Sequence, residues 1–147
     1  MNELLQANIN ALHKQLNWLS HSYNLCKDLA LNVPYEIEAF DKLENLSSRY
    51  ARSIDFLVRK VFRSIDEAEF EPQGTLIDTV NRAHKRQLFD SMEDFRNLQM
   101  IRNEIVHEYV DDALPPIFPE IIASTPLLIN IIEKTLSYAE NSLLQNN

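Results

Sequence analysis

A chain of 147 residues suits one domain over residues 1–147, long enough to bury a core without disulfide or metal staples. A formal net charge of −8 excludes a protein that coats nucleic acid indiscriminately, and a single glycine excludes turn-rich sheets and phosphate-cradling glycine loops. One cysteine, Cys26, rules out an internal disulfide and fits a reducing cytoplasm, while no apolar run of about eighteen residues suggests a membrane span. The N-terminus lacks the basic segment of a signal peptide.

The chain reads as helices throughout. Residues 2–31 place Leu5, Ile9, Leu12, Leu16, Leu19, Tyr23, Cys26 and Ala30 at alternating steps of four and three, the pattern of a long helix packed along its length against another. Cys26 lies on this stripe and is expected in the core rather than as a reactive thiol. Trp18 and Leu25 lie off the stripe, where they widen it or face a partner chain. Val33-Pro34 separates this helix from a second, expected over residues 34–68, with Ile37, Phe40, Leu43, Leu46, Tyr50, Ile54, Leu57, Val61, Ile65 and Ala68 inward. Its outer face carries Arg49, Arg52, Arg59, Lys60 and Arg63, a solvated face or one that attracts phosphate.

Glu69-Phe-Glu-Pro-Gln-Gly74 is the clearest break. Thr75 can cap a short helix to about residue 85, and Arg82, His84, Lys85 and Arg86 form a compact basic cluster after it. A further helix is expected over residues 89–113. Leu114-Pro-Pro-Ile-Phe-Pro119 interrupts it, and Ser124-Thr-Pro126 restarts a last helix to about residue 144. These elements predict an all-α, up-and-down bundle of four to five helices. Charge along it is uneven. From Arg49 to Arg102 ten Lys/Arg meet nine Asp/Glu, whereas the remainder holds four against thirteen, so an anionic ligand is expected at the middle of the chain.

Chemistry concentrates in Met100-Ile-Arg-Asn-Glu-Ile-Val-His-Glu-Tyr109. At about 100° per residue, Phe95, Leu98, Ile101, Ile105 and Tyr109 share one face, and Arg102 falls among them. A guanidinium is costly to desolvate without partners, so its position asks for an explanation. His107 lies about 140° around the same helix from Arg102. No His pair stands at metal-ligand spacing, and Glu104, Glu108, Asp111 and Asp112 fit a solvated acidic face better than a Mg²⁺ site, so neither metal nor cofactor is expected. A histidine that takes a proton from a hydroxyl, an arginine that holds a phosphate and an orienting Asn103 suffice for metal-free cleavage of RNA, whose 2′-OH is an internal nucleophile absent from DNA. A core arginine paired with an internal carboxylate beside a surface histidine explains the same residues without catalysis.

The pattern Arg102-Asn103-x-x-x-His107-x-Tyr109, near the end of the third long helix of such a bundle, resembles the HEPN superfamily and, more narrowly, the HepT toxins of HepT–MntA toxin–antitoxin pairs. The resemblance implies a HEPN-like, homodimeric, metal-independent endoribonuclease with Arg102 and His107 of both subunits lining a shared cleft. It also implies a nucleotidyltransferase antitoxin, MntA-like, that transfers AMP onto the tyrosine matching Tyr109. Two other readings remain open: a non-catalytic substrate-binding or regulatory subunit of a minimal nucleotidyltransferase, and a purely structural helical adaptor.

Overall fold

The computed structural model describes residues 3–111 and 115–144, with residues 109–111 described by backbone alone. Helix α1, Glu3–Cys26, buries Leu5, Ile9, Leu12, Leu19 and Cys26, as its four-three spacing predicts, while Leu16 and Tyr23 of the same stripe are half-buried against the core. It stops at Cys26, short of the expected residue 31, and Ala30 lies exposed in the connection that follows. Helix α2 begins at Ile37 rather than at Pro34, and Ile37 itself is exposed because the first turn overhangs the core.

Helix α2 is one rod in three parts: Ile37–Phe56, a π-helical segment Leu57–Phe62, and Arg63–Ala68. The π-helical segment keeps Leu57, Val58, Val61 and Phe62 buried where the rod meets the short helix α3, Leu76–Lys85. Spacing predicts a regular helix here; nothing in it announces the π turn, a feature that clusters at functional sites.

The ends of these helices show how a chain with one glycine makes its turns. Thr75 caps α3 as expected: its hydroxyl accepts from Asp78 N at 3.2 Å, and Asp78 Oδ2 accepts from Thr75 N at 3.0 Å, a reciprocal capping box. A Cβ on Gly74 would come within 2.5 Å of that Asp78 oxygen, so the glycine makes room for the capping carboxylate. Elsewhere ordinary residues take the left-handed conformation, Phe70 at φ 59° and Gln87 at φ 63°. After α3 the Leu88 N–H reaches back to Ala83 O and Gln87 N–H to His84 O, satisfying carbonyls that the helix end leaves open.

Helix α4, Met92–Asp111, starts three residues later than expected, where the Ser91 hydroxyl accepts from Asp94 N at 3.1 Å. Phe89, expected to begin this helix, is buried with Leu88 in the connection and stacks on Phe95 at 4.4 Å. Helix α5, Phe118–Tyr138, continues through a π-helical turn, Ala139–Leu143, with Pro119 in its first turn. Pro126 does not restart a helix; it lies inside α5 on an exposed face, while the buried Thr125 donates its hydroxyl to Ile121 O at 2.6 Å.

By length and composition, residues 115–143 could cross a membrane, with a mean hydropathy of 1.4 over the most apolar window. That runs against the expectation, drawn from uninterrupted apolar runs, that nothing in the chain suggests a span. In the bundle the helix is a core element, burying Phe118, Ile121, Leu128, Ile131, Ile132 and Leu136. Helix α1 packs on α2 and α5, and α2 on α4 and α5, around one continuous apolar cluster. The described residues are all-α, as expected, and contain no strand.

Candidate functional site

Apolar packing and one hydrogen bond position the motif helix against α2. Phe95 and Leu98 are buried with Ile105, the face that spacing predicts, and the buried Tyr50 hydroxyl of α2 donates to Leu98 O at 3.0 Å. That bond fixes α4 one turn before Arg102. Arg102 therefore emerges at the edge of the apolar stripe, its side chain 27% exposed.

There it meets Asp55. Arg102 Nε donates to Asp55 Oδ1 and Nη2 to Oδ2, both at 2.8 Å, a fork-on-fork pair across the α2–α4 seam. Arg102 Nη1 donates to Asn103 Oδ1 at 3.2 Å. Three of the five guanidinium N–H groups are thus engaged, leaving two without a partner among the described residues. The pair borders a cavity of about 220 Å³ lined by Asp55, Val58 and Arg59 of α2, Leu76 of α3, and Gln99, Arg102 and Asn103 of α4. Asp55 neutralises Arg102, so Arg59 supplies the cavity's uncompensated charge.

Arg102 and its chain neighbour Asn103 both line this cavity, whereas helical spacing puts Asn103 on the side of His107. His107 is not part of that lining: it is exposed, about 140° around and about 7.5 Å along α4 from Arg102. Tyr109 belongs to α4, but its side chain lies outside the described residues, so its expected place beside Arg102 has no geometry here. Among the described residues no group of His, Cys, Asp and Glu could hold a metal.

Asp55 is the residue that motif reading misses. It lies 47 positions from Arg102, on another helix. One signal marks it in the sequence: between residues 49 and 63 it is the only acid among five Lys/Arg. Among the described residues none of Arg49, Arg52, Arg59, Lys60 and Arg63 forms an ion pair, so that face keeps its positive charge.

The second basic cluster has a different fate. Arg82 Nη1 donates to Asp66 Oδ2 at 3.1 Å, and its Nε lies 3.5 Å from Glu71. Arg86 Nε donates to Glu69 Oε1 at 2.7 Å, and its Nη1 faces Asp66 Oδ1 at 2.8 Å, an ion pair whose angles do not make a hydrogen bond. The Tyr138 hydroxyl donates to Glu69 Oε2 in a short bond. His84 reaches Asp90 O at 3.2 Å and stacks on Phe89, which leaves Lys85 exposed. Burial works against the Arg86 charge, but Glu69 and Asp66 outweigh it and hold the guanidinium above its usual range. The cluster at residues 82–86 and the loop at residues 69–74 therefore answer each other, tying the end of α2 to α3 and α5. They are a structural tie, not a free anion site.

A scan against protein-family models, a search of curated proteins and a search of solved structures each return no match.

Proposed function

We propose that the chain is a metal-independent endoribonuclease of HEPN type, the toxin of a toxin–antitoxin pair. The observation that carries this reading is the Arg102–Asp55 fork at the mouth of a cavity that also holds Asn103 and Arg59. A carboxylate on one edge of the guanidinium fixes its plane and leaves N–H groups for a phosphate, a preorganised donor of the kind that stabilises charge developing in a transition state.

In this reading His107 takes the proton from the ribose 2′-OH. The 2′ oxygen attacks the adjacent phosphorus, the bond to the 5′ oxygen breaks, and that oxygen leaves with a proton, giving a 2′,3′-cyclic phosphate and a 5′-hydroxyl. Arg102 carries the phosphate charge through this step and Asn103 keeps Arg102 in place. Because Arg102 and His107 diverge on one helix, the pair that acts on one phosphate comes from two copies of α4 facing each other, and the active form is a homodimer. A nucleotidyltransferase antitoxin silences it: the Tyr109 oxygen attacks the α-phosphorus of ATP and pyrophosphate leaves. The AMP adds bulk and negative charge beside the cleft and repels RNA.

Expression in a bacterial host tests the assignment. The parent arrests growth, and Arg102→Ala and His107→Ala do not, while both remain folded; a His107→Ala variant as toxic as the parent contradicts it. One observation favours a second reading, a non-catalytic subunit of a minimal nucleotidyltransferase: Asp55 satisfies the Arg102 charge with no ligand present. A parent that is harmless when expressed alone, yet copurifies with the nucleotidyltransferase, supports that reading.

A further inference from the structure

The charged face of α2 continues past the Arg102 cavity to the seam with α1, where Trp18 stands 55% exposed. The Arg49 guanidinium carbon lies 4.6 Å from the centre of the indole, and His21 meets the ring edge-on with centroids 6.0 Å apart. One face of the indole is thus covered by a cation, and more than half of Trp18 stays exposed. Beside it is a cavity of about 140 Å³ lined by Gln15, Trp18, Arg49, Arg52 and Ser53. Arg49 Nε is buried with no hydrogen-bond partner, and among the described residues neither Arg49 nor Arg52 has an ionic one. A buried N–H left unsatisfied next to a cavity calls for an explanation, and an anion that orders this corner is one.

We infer that the Trp18–Arg49–Arg52 corner is a subsite for single-stranded RNA, stacking one base on the open face of Trp18 and holding the adjoining phosphate at Arg49 and Arg52. The cavity has room for a phosphate-sized group, several times the ~30 Å³ of one water, and the exposed indole beside it offers the base a stacking surface. An aromatic face with flanking cations is the combination that binds single strands without regard to sequence. Position agrees with the chemistry: Arg52 is one helical turn from Asp55, about 4.5 Å along the axis, so a strand held here runs on to the Arg102 cavity. The ligand class rests on the ribonuclease reading.

The rival occupant is a second copy of the chain, because the exposed Leu4, Trp18 and Leu25 stand fourteen and seven residues apart on one side of α1. Charge weighs against it at this corner. A two-fold contact there would set Arg49 and Arg52 near their own copies, whereas a strand of phosphates neutralises them.

Trp18 is the chain's single tryptophan, so its emission reports this corner alone. The probe is a fluorescently labelled 2′-O-methyl oligouridine of about twelve nucleotides, which lacks the free 2′-OH and is not cleaved. Titration should quench Trp18 to saturation. Anisotropy of the label should show binding weakened roughly tenfold by Trp18→Ala, the usual scale for losing one stacked base. The Arg49→Gln/Arg52→Gln double variant should weaken binding and flatten the salt dependence by about 0.7 in log–log slope for each phosphate no longer neutralised. Binding by anisotropy with emission unchanged places the strand elsewhere and overturns the inference, as does no binding at all. An emission shift that follows protein concentration without oligonucleotide, and no quench with it, assigns the corner to a second copy and also overturns it. Cleavage plays no part in these readouts: quenching without ribonuclease activity sinks the enzymatic reading and leaves the subsite standing.

Discussion

Two arginine–carboxylate sites lie on either side of α3, built from the same groups to opposite ends. At the closed one, Arg86 is 8% exposed, shares Asp66 with Arg82 and bonds to Glu69, which also accepts from Tyr138, so the charges answer one another inside the protein. At the open one, Arg102 and Asp55 are 27% and 37% exposed beside a cavity, and two N–H groups are left over. Burial separates the roles. Removing one member of a buried network strands a charge with no water to replace its partner, whereas a pair at a cavity mouth can exchange its partner for solvent or for a ligand.

The sharpest way to break this comparison is Arg86→Ala. Loss of a buried partner should cost about 3–5 kcal/mol, read as a lower midpoint in urea unfolding. Arg102→Ala should cost about 1 kcal/mol or less, because its pair is partly solvated and its contribution is screened. Equal losses at the two sites would erase the distinction. Asp55→Asn sharpens it from the other side. Stability should change by about 1 kcal/mol or less, while cleavage falls roughly 10–100-fold as Arg102 loses the group that fixes its plane. Unchanged cleavage would show that Asp55 does not position Arg102 for function.

Tyr138→Phe deletes one bond to Glu69 within the closed network and should cost about 1 kcal/mol, measured by thermal unfolding. The smallest effect is expected at Cys26. Its buried thiol donates to Lys42 O, and burial pushes its pKa up to about 11, with Lys42 partly offsetting. The folded protein therefore holds the thiol proton after the unfolded chain has released it near pH ~8.5. Stability from this group is complete below that pH and declines as pH rises toward about 11. At pH 8 a thiol reagent should label Cys26 only after denaturant is added; rapid labelling of the native protein would contradict its burial.

Much of the fold is legible from spacing, because α1 and the inward face of α2 bury what a helical period says they must, from Leu5 to Cys26 and from Leu43 to Ile65. Thr75 is legible too, since a capping residue acts within one turn. What fails is whatever depends on distant partners. Pro126 reads locally as a restart, yet its exposed face lets α5 run through it. Arg82 and Arg86 read as a basic patch because their acids come earlier in the chain, Asp66 at the end of α2 and Glu69 and Glu71 in the loop before α3. Arg102 reads as a core charge or as a catalyst, and spacing alone does not reveal Asp55, although a lone acid on a basic face points to it. The divergence of Arg102 and His107 is legible from about 100° per residue, and it makes a second copy necessary to the proposed site.

The central claim meets its most direct test when purified protein is incubated with total RNA in the presence of EDTA, beside Arg102→Ala and His107→Ala prepared in the same way. The expected result is cleavage by the parent, with new 2′,3′-cyclic phosphate and 5′-hydroxyl ends, and none by either variant. Intact RNA with the parent, or equal cleavage by His107→Ala, would contradict it.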